Sequence, residues 1–227
     1  MKSRTLAFTG LLLLTLAPGA WALGKGSSMF AVELTHGTAD FANKLAGTTG
    51  ANDVAEYVSA FDHSEMGIQG QYWKMMSEDY AFTVTLGYGF FSETDKPGQA
   101  AAAGSPELKF STSSFNIRLG GDRVAKVGDR ALMYAGPGIE YWSGNSKFEP
   151  DPFSLTGTGE YKDESVTRIS LSARIGAVMM LSEYFGLTTH VGGRYGYASV
   201  EEQGAKATWW PGSVEAAAGV MWTFGGD

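Results

Sequence analysis

Between Ala81 and Phe90 the side chains alternate with a period of two. Phe82, Val84, Leu86, Tyr88 and Phe90 fall on one side of an extended chain, and Ala81, Thr83, Thr85, Gly87 and Gly89 on the other. Successive residues of a β-strand point to opposite faces, so this segment reads as a strand with one large apolar face and one small, polar face. That division suits a membrane-spanning β-barrel, with lipid outside and a polar lumen inside.

The pattern recurs often enough to predict about eight strands: near Ser28–Thr38, His63–Met76, Tyr80–Phe91, Phe110–Gly121, Ala131–Trp142, Val166–Leu181, Phe185–Ser199 and Gly212–Phe224. Pro137 lies inside the fifth and would remove a ladder donor there. The connections alternate in length. Ser77–Asp79 and Ser182–Glu183 are tight and Asp122–Arg130 is moderate, whereas roughly 39–62, 92–109, 143–165 and 200–211 are long. Short periplasmic turns and long extracellular loops are the habit of outer-membrane barrels, which places both mature termini in the periplasm. Within the first long loop, Asp53 and Glu56 are spaced as a capping box ahead of Tyr57, Val58 and Phe61, so a short helix and an extended strand are both open there. The stretch from Met75 to Phe82 is echoed by Met179 to Phe185, which reads as shared turn chemistry at two equivalent hairpins.

The beginning of the chain supports export. Lys2 and Arg4 precede an apolar stretch from Leu6 to Ala17, and Ala20-Trp21-Ala22 forms a cleavage site. Residues 1–22 are therefore expected to be a secretory signal peptide, leaving a single domain over 23–227. Loss of Lys2 and Arg4 reduces the 17 basic residues to 15 against 24 acidic ones, a net charge of −9 that argues against nucleic acid as a partner. With no cysteine, disulfides, a thiol nucleophile and thiolate metal sites are excluded. The 31 glycines and 13% aromatic residues suit strands, turns and interfacial girdles.

Together the signal peptide, the strand count, the Ser-Glu-Asp-Tyr and Ser-Glu-Tyr-Phe turns, and the aromatic close Val220-Met221-Trp222-Thr223-Phe224 resemble the small outer-membrane β-barrels of the OmpA/OmpX type. The resemblance implies an all-β, eight-stranded antiparallel up-and-down transmembrane barrel in a Gram-negative outer membrane, inserted by the barrel-insertion machinery and surrounded by lipid and lipopolysaccharide. Such proteins usually end on the aromatic residue itself, whereas Gly225-Gly226-Asp227 follow here. The family's roles are mixed: anchoring, adhesion, resistance to host defences and, in a few members, lipid modification. Fold alone does not select among them.

The expected lumen face gathers Glu33, Glu65, Glu140 and Glu215 with Arg118, Arg168, Arg174 and Arg194. An eight-stranded barrel is just wide enough for side chains to fill, so these charges must pair or stay hydrated. A structural salt-bridge core is the expected arrangement, with an ion path as the alternative, and Glu33 with Arg174 is the mid-strand pair to examine first. Aromatic girdles are expected from Tyr72, Tyr80, Phe82, Tyr184, Phe185, Trp222 and Phe224 at the periplasmic interface. Tyr88, Phe90, Tyr141, Tyr195 and Tyr197 are expected at the external one. His36, His63 and His190 form no recognisable nucleophile–base or metal-ligand motif, so neither an enzyme activity nor a cofactor is expected. Glu149, Asp151, Glu160, Asp163 and Glu164 make one external loop acidic, and Asp40, Asp53, Glu56 and Asp62 another. The expected role is structural or interactive, through those loops and an extracellular partner. A narrow pore and a lipid A-modifying enzyme are the alternatives.

Overall fold

The computed structural model describes residues 25–39, 63–95, 108–149, 161–162, 166–202 and 205–224. Residues 1–22, expected to be a signal peptide, the Asp53–Phe61 segment, most of the acidic loop residues and Gly225–Asp227 lie outside them, as do the side chains of His63 and Glu65. Eight long antiparallel strands close into a barrel: β1 (Ser28–Ala39), β2 (His63–Met75), β3 (Tyr80–Asp95), β4 (Leu108–Lys126), β5 (Ala131–Glu149), β7 (Val166–Met180), β8 (Phe185–Glu202) and β10 (Gly212–Phe224). Two short strands, β6 (Tyr161–Lys162) and β9 (Ala205–Trp209), pair above it with β5 and β8. The first and last long strands close the ring, from Ser28 against Phe224 to Gly37 against Glu215.

The stagger of the ring follows from the register. Paired partners run from Phe90 through Met66, His36, Ala216, Val191, Ile175, Ala135 and Arg123, and return to β3 at Tyr80, ten residues from the start. Ten residues of stagger over eight strands tilt each strand by roughly 40° from the axis. Phe90 then stands roughly 25 Å above Tyr80, the height of the apolar band of such barrels. Leu86 lies between them, near the middle of the band.

Alternation sets the faces as the sequence requires. Leu86, Ile139, Ile169 and Leu171 point outward and are exposed, while Thr83, Thr85, Arg118 and Glu140 point inward and are buried. The outer wall also carries Tyr72, Tyr80, Phe82, Tyr184, Phe224, Tyr88, Phe90, Tyr141, Tyr195 and Tyr197, with Phe185 and Trp222 half-buried against each other at 5.9 Å between ring centroids.

One end is trimmed and the other is not. Residues 76–79, 127–130 and 181–184 make turns of four residues, closed by bonds such as Met76 N–H to Tyr80 O at 2.9 Å and Leu181 N–H to Phe185 O at 2.9 Å. In the first, Ser77 Oγ donates to Asp79 at 2.8 Å and Arg123 lies 3.2 Å away, which together hold the Asp79 carboxyl below its ordinary value. In the second, Gly128 has a φ of 142°, a conformation that side chains disfavour.

Two expectations change here. The connection taken as Asp122–Arg130 is shorter, because β4 continues through Asp122 to Lys126. Three of the four long connections are also shorter than the sequence implies, the exception being that between β1 and β2. β3, β4, β5 and β8 run on past the girdle as paired sheet, as in Asp95 against Leu108 and Lys109 against Glu149. Pro137 is accommodated inside β5 with its ring on the exposed face, and the β4–β5 register is the same on either side of it. A second proline, Pro211, separates β9 from β10, which share one register against β8.

The outward face generates a test. Leu86→Arg puts a charge near mid-membrane and should cost about 2–4 kcal/mol, read from denaturant unfolding in lipid. Spin labels at 84, 86 and 88 should be relaxed by lipid-dissolved oxygen far more than labels at 83, 85 and 87. Equal relaxation at both sets would contradict the outward assignment.

Candidate functional site: the lumen

The lumen divides into two zones. At the turn end it is packed with apolar side chains. Met29, Trp73, Met75, Leu132, Val178, Met180 and Met221 are all buried there, with Ala31, Ala81, Val124 and Tyr134 around them. In the sequence these residues are the inward positions nearest the turns and the two termini of the barrel, as at Met29, Trp73, Met75, Leu132, Met180 and Met221. Large apolar residues at these inward positions are the signal for the plug, and an expectation of a uniformly polar lumen passes over it.

Above the plug lies a layered charge network. Asp122, fully buried, takes Arg174 Nη2 at 2.5 Å and Nε at 3.4 Å, and the Trp73 indole N–H at 3.0 Å. The Arg174 guanidinium also lies over the Trp73 and Tyr134 rings, 5.4 and 5.3 Å from their centroids. This is a planar cation held on its edge by a carboxylate and on its faces by aromatic rings, a use for which arginine is better suited than lysine. Arg174 also donates to Gln71 Oε1, and Gln71 Nε2 in turn donates to Glu33.

Glu33 is fully buried and has its own set of partners. Gln69 donates to it at 2.7 Å and Thr188 at 3.1 Å, and His190 Nδ1 stands 3.5 Å away. The sequence-based pairing of Glu33 with Arg174 is therefore corrected: Arg174 pairs with Asp122, and Gln71 lies between it and Glu33. Asp122 was missed because it was assigned to a connection, although it continues the inward alternation of Asn116, Arg118 and Gly120.

His190 links this layer to the next, with Nε2 3.7 Å from Glu215. Glu215 pairs with Arg194 at 2.9 Å, Arg194 with Glu140 at 2.5 Å, and Glu140 with Arg168 at 3.6 Å. Arg168 lies over the Trp142 ring, 5.1 Å from its centroid. Arg118 crosses the lumen to Ser172 at 2.9 Å and Thr83 at 3.2 Å, and stands 4.0 Å from Asp122. Gly138 makes room for it, since a Cβ there would come within 2.6 Å of the Arg118 Nε. Of the eight charges singled out from sequence, Glu33, Glu140, Glu215, Arg118, Arg168, Arg174 and Arg194 are placed in the lumen, and the Glu65 side chain lies outside the described residues.

Two chemistries can be compared with this arrangement. The imidazole of His190 meets two carboxylates and the Gln71 amide, and among the described residues it has no hydroxyl positioned as a nucleophile. Among those residues there is also no cluster of three metal-ligating side chains. A lumen cavity toward the loop end, between Asn116, Trp142, Arg194 and Glu215, is about 30 Å³, room for about one water.

A closed antiparallel ring of eight long strands with an apolar outer band, two aromatic margins and a filled polar interior is the fold of the small outer-membrane β-barrels. The outer membrane protein OprG of Pseudomonas aeruginosa has the same fold: it is 14% identical, with 92% of this chain and all of that chain covered, at a TM-score of 0.54. Neisserial surface protein A (12% identity, 88% and 99% covered, TM-score 0.48) is a more distant match. So is the attachment invasion locus protein Ail of Yersinia pestis with the heparin analogue sucrose octasulfate (11%, 88% and 99%, 0.46). No protein-family model and no curated protein matches the sequence.

The network generates a second test. Replacing Asp122 by Ala strands the buried Arg174 guanidinium and should destabilise the barrel by about 3–5 kcal/mol. Asp122→Ala with Arg174→Met should cost clearly less than the two single changes summed. Urea unfolding in lipid vesicles measures the cycle, and full additivity would mean that the two side chains do not interact.

Proposed function

We propose that this protein is a non-conducting outer-membrane barrel that acts as a rigid stand for its extracellular surface, where it contacts a partner outside the cell. The observation that carries this reading is the asymmetry of the strands. At the turn end the sheet stops in turns of four residues, whereas at the other end β3, β4 and β5 continue as paired sheet beyond Phe90. A chain that needed only an anchor would have no use for sheet beyond the bilayer. Paired strands hold the points from which the loops leave the sheet at a fixed spacing, which reduces the ordering entropy lost on binding.

The filled lumen supports the same reading over a pore. An ion crossing the barrel would meet the Glu140–Arg194–Glu215 layer, then the Asp122–Arg174 pair, and finally the dry plug. For catalysis, His190 is occupied by carboxylates and has no adjacent nucleophile among the described residues.

The purified barrel in planar bilayers should show no steady conductance. Cells expressing it should lose attachment to a cell monolayer when residues 98–105 and 152–159 are replaced by short turns, while the barrel still resists detergent unfolding. Steady wild-type conductance together with unchanged attachment would refute the proposal.

A further inference from the structure

The outer wall is uneven. Across β1, β10, β8 and β7 it sinks into an open groove of about 720 Å³. Gly193, Ala173 and Ala216 leave the sheet backbone nearly bare, and Ile175, Val191 and Val214 stand around this floor. Other outward positions of the band carry large side chains, as at Leu86, Ile139 and Leu171. Barrel packing does not demand this depression. A Cβ built on Gly193 would meet nothing nearer than the Ser213 carbonyl at 4.0 Å, and no positive φ holds the position to glycine.

The depth and margin of the groove indicate its occupant. It lies inside the band that faces hydrocarbon. By the register that relates Phe90 to Met66 and His36, the His36 backbone is roughly 6 Å below the loop-end girdle. The groove therefore opens into the leaflet on the loop side. His36 borders it with an exposed imidazole, which makes no hydrogen bond or ion pair with the described residues. A polar side chain on a lipid-facing wall is costly unless a polar group meets it. An apolar trough with a hydrogen-bond donor at its upper margin complements an acyl chain below an anionic headgroup.

We infer that the groove seats one acyl chain of a phosphorylated outer-leaflet lipid, the lipid A part of lipopolysaccharide, with the His36 imidazole donating a hydrogen bond to its phosphate. The small residues keep the trough open, and Ile175 and Val214 grip the chain from either side. This inference rests on the membrane placement of the barrel and is independent of the role proposed for the loops.

Native mass spectrometry of the detergent-purified barrel with diphosphoryl lipid A tests it. Wild type should retain one lipid and prefer it to dephosphorylated lipid A. Gly193→Leu, whose Cβ meets no atom nearer than 4.0 Å, places its side chain in the trough and should weaken retention at least about tenfold, equivalent to losing the burial of about two methylenes. His36→Ala should remove the preference for the phosphorylated form and leave the dephosphorylated lipid bound as before. Leu86→Ala, on a different part of the wall, should behave as wild type. Heat-modifiable migration on a detergent gel verifies folding, and if Gly193→Leu fails to fold, His36→Ala alone decides. Equal retention by wild type and Gly193→Leu would overturn the inference, as would a phosphate preference that survives His36→Ala. So would a wild-type dimer that Gly193→Leu dissociates with no lipid retained, since the groove would then be a contact between copies.

Discussion

The pairing of β1 with β10 is the contact on which the rest of the molecule depends. In hydrocarbon an unpaired strand edge leaves a row of N–H and C=O groups with no water to satisfy them, so an open sheet cannot be accommodated. Closure removes the edge and also fixes the stagger at ten residues, which sets the tilt and the width of the lumen. Every later feature inherits those values. The outward chains reach lipid because the ring is closed, and the inward ones are forced together because it is narrow.

The narrowness explains the chemistry of the interior. Among the described residues, four arginines, four carboxylates and a histidine occupy a space that admits them only if each finds a partner. The structure answers with shared contacts: Asp122 serves both Arg174 and Trp73, Arg194 joins Glu140 to Glu215, and Gln71 joins Arg174 to Glu33. Such a lattice specifies one arrangement of the strands more than it adds net stability, because burying each ion carries its own desolvation cost.

Much of the fold was legible because alternation is local. Whether Leu86 points out or Thr85 points in depends only on neighbours in the chain, and the strand centres follow from that alone. The partner of a buried charge depends on stagger, which no single strand records. Glu33 and Arg174 both lie near mid-strand, yet closure brings Glu33 to His190 and Arg174 to Asp122. Asp122 itself was hidden by its turn-like neighbourhood of glycine, aspartate and arginine. The strand extensions past the girdle were hidden for a related reason. Above the membrane both faces meet water, so the contrast between them disappears and a strand reads as a loop.

The plug beneath the charge network has an electrical consequence. Met29, Met75, Leu132, Met180 and Met221 form a low-dielectric floor, so the ionised side chains above them exchange with one aqueous compartment only. The ladder from Arg168 down to Asp122 therefore rests on a floor that no ion can cross without shedding its water.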